Sequence, residues 1–143
     1  VTIPNMAEKT VRYNGHARFI QKLIDAGFFK PEHREATAKV LLEQWQFAEN
    51  EADLTVMEIS VSGVKNGQTV AESYQLIDHY DHENQVSSMA RTTGYTCAAG
   101  VRLALNNVLP NGVLPPEIIG QNLTWFESIF KELAQNDIHI VKQ

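Results

Sequence analysis

Residues 54–80, LTVMEISVSGVKNGQTVAESYQLIDHY, decide the fold class of this chain. Two runs rich in β-branched residues flank residues 65–68, which have Asn66-Gly67 at their centre. Asn-Gly is the strongest short-range signal for a two-residue hairpin turn, because both residues tolerate a positive φ. The stretch therefore predicts a β-hairpin with strands over residues 54–64 and 70–80.

Two helical patterns precede the hairpin. Apolar residues at helical spacing predict an amphipathic helix over residues 16–26, and Gly27 is placed to end it in a left-handed conformation. Pro31 suits the first turn of a second helix, which we expect to run to about residue 47.

Two helices and a strand follow the hairpin. Ser87 or Ser88 can cap a long helix that extends to about residue 107. A last helix begins with the capping-box spacing of Thr124 and Glu127. Residues 137–141 predict a terminal strand, so the order of elements is that of an α+β fold. We expect a mixed or antiparallel sheet covered by about four helices, in one domain over residues 1–143.

The long helix should bury one stripe of apolar and small residues. The predicted stripe includes a buried cysteine and consists of Ala90, Thr93, Cys97, Val101, Ala104, Leu105 and Val108. Gly94 and Gly100 each cost about 1 kcal/mol relative to alanine inside a helix. We therefore expect another element, a ligand or a partner subunit to pack closely against them.

Composition and charge exclude several classes of protein. The chain has 143 residues and a net charge of −5, which argues against binding to nucleic acid or to an anionic membrane surface. A single cysteine excludes an internal disulfide and a cysteine-based zinc site, and it fits a cytoplasmic protein. The chain begins with Val1 and has no signal-peptide pattern, so we expect a fragment of a longer cytoplasmic protein.

The motifs of nucleotide binding and of serine catalysis are absent from the sequence. No two glycines are separated by a single residue, so neither GxGxxG nor a P-loop occurs, and GxSxG is missing as well. Residues 78–83, DHYDHE, concentrate possible metal ligands, but a solvated acidic loop is the favoured interpretation. We therefore expect no cofactor-binding or metal-ligating residue in this chain.

Two arginines are candidates for binding a carboxylate. Arg12 precedes a helix start, where a guanidinium and free N–H groups can grip an anion together. Arg91 lies in the first turn of the long helix, where a cation opposes the helix dipole unless an anion or an acidic side chain compensates it. Arg102 comes eleven residues later and returns to nearly the same face. Taken alone, each of them is more often a solvated or structurally paired side chain.

Three segments resemble the saccharopine dehydrogenase-like oxidoreductases. Residues 5–16, NMAEKTVRYNGH, are similar to the family's KT-[LIV]-RYPGH segment, with Asn14 where the family usually has proline. Residues 88–95, SMARTTGY, and residues 112–117, GVLPPE, resemble two further family motifs in the family order. Together they span nearly the whole chain.

The resemblance implies the C-terminal part of a longer enzyme, with no catalytic residue in this part. It implies that a Rossmann domain precedes this part and binds NAD or NADP, and that this part binds substrate and forms a homodimer. The implied reaction is hydride transfer at a C–N bond of a carboxylate-bearing secondary amine such as saccharopine, in lysine metabolism. Residues that match the motifs are then expected to bind substrate: Arg12, Tyr13, His16, Arg91, Thr92 and Thr93.

Two other functions stay open at this point. The chain could be a stand-alone ligand-binding or dimerisation module without enzymatic activity. It could also be a complete small enzyme that uses His16, His79 or His82 as acid–base groups, although no orienting carboxylate stands at a diagnostic spacing.

Overall fold

The structure, a computed structural model, describes residues 3–106 and 108–143. The predicted α+β class is confirmed, with five helices in the described residues and a three-stranded sheet. In chain order the elements are α1 (His16–Asp25), α2 (Pro31–Gln44), β1 (Leu54–Lys65), β2 (Gln68–His79), α3 (Ser88–Leu105), α4 (Pro116–Ile119), α5 (Leu123–Gln135) and β3 (Ile140–Lys142). The chain divides into two compact units, one up to Ala48 and one from Glu49 on.

The first unit contains α1 and α2. Gly27 has a φ of 84° just after α1, and the Phe28 N–H donates to the Leu23 carbonyl at 3.0 Å. That bond is the Schellman closure of a helix end, so the predicted role of Gly27 is confirmed. Pro31 opens α2 as predicted, but α2 ends at Gln44, before the expected residue 47.

The second unit is built on the predicted hairpin. Asn66 and Gly67 have φ values of 54° and 78°, the positive pair that a type I′ turn requires. The strands pair without interruption from Leu54 opposite His79 to Lys65 opposite Gln68. β3 adds to β2 antiparallel, in the order β1-β2-β3, so the sheet is antiparallel rather than mixed.

Both long helices of the second unit pack on one face of the sheet. Leu76 of β2 packs with Leu133 of α5 and with Ile138, and all three are buried. Tyr95 of α3 packs against the same cluster, as do Ile129 and Ile140. Because side chains alternate along a strand, residues such as Val56 and Ile77 point to the opposite face, where they are exposed.

The predicted inward stripe of α3 was wrong. The buried residues of this helix are Ser88, Arg91, Ala99 and Leu103, whereas Cys97 is exposed. Two of the four are polar, and a pattern that counts only apolar residues cannot place them inward. A Cβ built on Gly94 or Gly100 would meet nothing within 4 Å, so no described element packs against these glycines.

Smaller differences concern the ends of elements. The N-cap of α5 is Asn122, whose side chain accepts a hydrogen bond from the Trp125 N–H at 3.2 Å, and not the predicted Thr124. β3 begins at Ile140, three residues after the predicted start at Asp137, whose φ of 58° is incompatible with a strand. No helix within residues 3–106 and 108–143 is long and apolar enough to cross a membrane.

Candidate functional site

The first group of predicted site residues lies at the start of α1. Arg12 and Tyr13 belong to an exposed segment without regular structure, and His16 is the first residue of the helix. The hydrogen bond described for the Arg12 guanidinium goes to the carbonyl of its neighbour Val11, at 3.4 Å. Such a long, exposed contact leaves the guanidinium available to an anion.

Tyr13 and His16 differ in their surroundings. The Tyr13 side chain is 88% exposed, and its carbonyl accepts a hydrogen bond from the His16 N–H. The His16 ring is half-buried and lies 5.3 Å from the Trp45 ring, centroid to centroid. His16 therefore packs α1 against the end of α2, and Tyr13 is the freer of the two side chains.

Arg91 is the centre of a buried network at the start of α3. Its Nε and Nη2 both donate to Asp78 at 3.2 Å, and its Nη1 donates to Asp81 at 3.1 Å. Nη2 also donates to the Asn136 carbonyl, at 2.9 Å, just after α5. The hydrogen bond with Asp78, with the charges of both aspartates, raises the pKa of the Arg91 guanidinium despite its burial. A cation in the first turn of a helix requires a negative charge nearby, and Asp78 and Asp81 provide it within the protein.

Asp53 holds the same helix start from the strand side. Its carboxylate accepts hydrogen bonds from the backbone N–H groups of Ser88 and Met89, the second at 2.9 Å. The fully buried Ser88 hydroxyl donates to the Asp78 carbonyl at 2.9 Å and lies 2.8 Å from the Thr55 hydroxyl. Side chains from both hairpin strands therefore fix where α3 begins.

Thr92 and Thr93 follow Arg91 but face different surroundings. The Thr92 hydroxyl donates to the Ser88 carbonyl at 2.9 Å, one turn earlier in α3. Thr93 is exposed. Of the three predicted site residues on this helix, Thr93 therefore presents its hydroxyl to solvent, whereas Arg91 and Thr92 bond within the protein.

Asp81 closes the loop between β2 and α3. Its carboxylate accepts from the backbone N–H groups of Glu83 and Asn84 and from the Asn84 side chain at 2.9 Å. These bonds, with that of the Asn84 side chain the strongest, hold the pKa of Asp81 below its ordinary value. Asp78 and Asp81 belong to the DHYDHE stretch of possible metal ligands, and in the structure they accept hydrogen bonds from Arg91 and, for Asp81, from this loop.

The predicted site residues fall into two sets. Arg12, Tyr13 and His16 lie together at the start of α1, in the first unit, and Arg91, Thr92 and Thr93 lie together in the first turns of α3, in the second unit. Each set stands at a helix N-terminus. A separate shallow groove of about 280 Å³ lies along the hairpin around Ser60 and Ser73, and none of the six residues lines it.

Comparison with known protein families decides the identity of the domain. The family described as the saccharopine dehydrogenase C-terminal domain matches residues 1–138. This chain belongs to that family. The match runs through both compact units and covers the three segments on which the resemblance was based, so the predicted resemblance is confirmed.

Membership of the saccharopine dehydrogenase C-terminal domain family gives an oxidoreductase context. A nicotinamide cofactor stays a prediction from the resemblance. The described residues do not form a Rossmann-type binding site for that cofactor. A Rossmann-type dinucleotide site needs a parallel βαβ unit with a glycine-rich turn, whereas the strands of the described residues are antiparallel and Gly67 lies in a hairpin turn.

Sequence reasoning missed the acidic residues that organise this saccharopine dehydrogenase C-terminal domain. Asp53, Asp78 and Asp81 together bind the start of α3 and its arginine. A usable signal was present, because a cation in a first helical turn requires an acidic partner and residues 78–83 are the acidic stretch that precedes it. Asp53 gave no comparable signal, since it precedes a strand and lies 35 residues before Ser88.

Proposed function

We propose that this chain is the substrate-binding and dimerisation domain of an NAD(P)-dependent oxidoreductase that acts on a C–N bond in lysine or other amino-acid metabolism. The observation that carries the proposal is the family match over residues 1–138. In this arrangement a Rossmann domain elsewhere in a longer protein binds NAD or NADP, and the chain alone has no activity. The exposed thiol of Cys97 fits the reducing cytoplasm in which we place the protein.

The proposed substrate is a secondary amine that bears several carboxylates, as saccharopine does. The enzyme removes a hydride from the carbon of the C–N bond and a proton from nitrogen, which leaves an imine; the reverse reaction reduces the imine. The nicotinamide supplies or accepts the hydride when it is bound. The residues of this chain hold the carboxylates and thereby fix the position of the reacting carbon.

Arg12 is the residue that we assign to a substrate carboxylate. Its guanidinium is exposed and is weakly bonded to its neighbour's carbonyl, so binding an anion breaks no strong contact. The helix N-terminus that follows four residues later adds N–H groups and a partial positive charge. Tyr13 is the exposed neighbour that can donate a further hydrogen bond, and His16 supports the segment through Trp45.

On α3, Thr93 is the residue that we assign to substrate contact, and Arg91 and Thr92 hold the turn that presents it. Four of the five N–H donors of Arg91 are engaged by Asp78, Asp81 and Asn136. If Arg91 released these hydrogen bonds to bind a substrate, the buried Asp78 carboxylate would lose its cation, which is energetically unfavourable. Arg91 therefore acts on the substrate through the position of the helix.

The experiment that tests the proposal is kinetic, on the longer protein that contains this chain. Arg12→Ala should raise KM for saccharopine by about 10- to 100-fold, the loss of one charge-assisted hydrogen bond, with little change in kcat. Arg12→Lys should restore part of the loss. Arg18→Ala, a change at an exposed arginine of α1, is the matched control and should leave KM unchanged.

Two results would contradict the proposal. One is an Arg12→Ala variant with lower thermal stability and unchanged KM, because Arg12 would then be structural. The other is tight binding of NADPH by residues 1–143 alone, seen as a large thermal shift, because we place the cofactor site elsewhere. A longer protein that oxidises no secondary amine would favour a ligand-binding or dimerisation module without enzymatic activity instead.

A further inference from the structure

β1 is an unusually open edge of the sheet. It is a 12-residue strand at one end of the order β1-β2-β3, and no strand in the described part of the chain pairs with its outer side. Natural edge strands are protected by shortness, proline, bulges or charge. β3, the other edge, has three residues and carries Lys142, whereas β1 has unbroken register, no proline and only Glu58 and Lys65 as charges. An edge of this kind requires a covering strand.

The hairpin fixes which residues of β1 face that outer edge. Lys65 and Gln68 close a two-residue turn and so bond to each other, and the Tyr80 N–H donates to the Asp53 carbonyl at 3.0 Å. Since hydrogen-bonding direction alternates along an antiparallel strand, odd-numbered residues of β1 bond toward β2. The outward N–H and C=O groups belong to the even-numbered residues Leu54, Val56, Glu58, Ser60, Ser62 and Val64.

We propose that two copies of this chain pair antiparallel through β1, about a two-fold axis at Ser60. This inference rests on the proposed dimerisation and names the surface that performs it. In this register Val56 lies opposite Val64 of the partner subunit and Ile59 opposite Val61 of the partner subunit. All four of these side chains are exposed in one copy, three of them by more than half. Pairing covers them on both faces of the sheet.

The charges select this register over its neighbours. With the axis at Ser60, Glu58 lies opposite Ser62 of the partner subunit, whose hydroxyl can donate to the carboxylate. With the axis at Ile59, the two Glu58 side chains become diagonal neighbours about 7 to 8 Å apart and repel each other. With the axis at Val61, fewer residues pair. The two-fold axis must pass through an opposed residue pair, so intermediate registers are excluded.

The first test is the mass of the 143-residue chain in sedimentation equilibrium. We expect twice 16.1 kDa for the wild type and loss of the dimer in Ser60→Lys, which places two ammonium groups together at the axis. Ser73→Lys is the matched control. Ser73 lies opposite Ser60 and on the same face of the sheet, but it belongs to the central strand β2 and not to the edge strand β1. The Ser73→Lys variant should remain dimeric. A monomeric wild type, or a Ser60→Lys variant that stays dimeric, would overturn the inference.

The second test fixes the register by cross-linking in a Cys97→Ser background, which removes the chain's own exposed thiol. Ser60→Cys should form an intersubunit disulfide on oxidation, because the two Cα atoms are about 5.5 Å apart in a hydrogen-bonded pair. Glu58→Cys should not, since its symmetry mate is about four residues away along the strand. Cross-linking of Glu58→Cys instead would refute this register. Substrate kinetics of Arg12 variants are measured separately, so a failed dimer and a failed substrate proposal are distinguishable.

Discussion

At the scale of one residue, Arg91 shows how a side chain predicted to bind substrate forms its hydrogen bonds within the protein. In the sequence it stands within a motif and in the first turn of a helix, which favours an anion nearby. In the structure that anion is Asp78, 5% exposed, with Asp81 beside it. A guanidinium suits this place because its fork of donors reaches two carboxylates and a carbonyl at once.

We predict that Arg91→Ala lowers the free energy of unfolding by about 3 to 5 kcal/mol, because it leaves the Asp78 carboxylate buried without its cation. Arg91→Lys should lower the free energy of unfolding by less, because lysine keeps the positive charge but cannot form the bidentate hydrogen bonds. Arg102→Ala is the control: its bond to Glu132 is 2.7 Å long, but Arg102 is 67% exposed, so the loss should be below about 1 kcal/mol. Urea unfolding measures all three. Equal losses for Arg91→Ala and Arg102→Ala would contradict the buried network.

Asp81 gives a prediction on pH. Its pKa is lower in the folded protein than in the unfolded chain, so it contributes stability above its ordinary pKa of 3.8, and this stability is lost as pH falls through the folded value. Asn84→Ala removes the strongest cause, so the pKa of Asp81 should rise and acid unfolding should begin at a higher pH. A carboxyl titration by NMR measures this. Glu83→Ala keeps its backbone N–H bond and should leave the titration unchanged.

At the scale of elements, the sequence predicted what local chemistry decides. The Asn66-Gly67 turn fixes the hairpin and Gly27 ends α1, because few residues tolerate these backbone conformations. The buried face of α3 was missed, since Ser88 and Arg91 face inward to meet partners on other elements. In the candidate site, Arg12 was singled out by its place before a helix start and within a motif, and its substrate role stays a prediction, whereas Asp53 gains its role only in three dimensions.

The start of α3 provides the prediction at this scale. Asp53 accepts from two N–H groups of the first turn, so Asp53→Ala leaves both without that acceptor and should cost about 1 to 2 kcal/mol. Asp53→Asn retains an acceptor oxygen and should cost less. Hydrogen exchange of the Ser88 and Met89 amides, together with urea unfolding, measures the effect. Unchanged exchange at both amides in Asp53→Ala would show that Ser87 alone caps the helix.

At the scale of the whole molecule, burial is divided unequally between the two units. The second unit buries large apolar side chains from the sheet and both long helices, among them Leu76, Leu103 and Leu133. In the first unit, within residues 3–48, the buried positions are Gly27 and Thr37. Since burial of apolar surface is the main source of stability, the two units should differ in the free energy of local opening.

Hydrogen exchange of the 143-residue chain tests that difference. We expect the amides of α1 and α2 to exchange at least about tenfold faster than those of α5 and the middle of β2, after correction for intrinsic rates. α1 and α5 are the informative pair, because both are regular helices with an amphipathic pattern, and only α5 buries a leucine, Leu133, in the described residues. Equal protection of α1 and α5 would mean that the first unit opens only with the second. If the amides of α1 exchange slowly in the longer protein but fast in this chain, residues outside the chain contact α1.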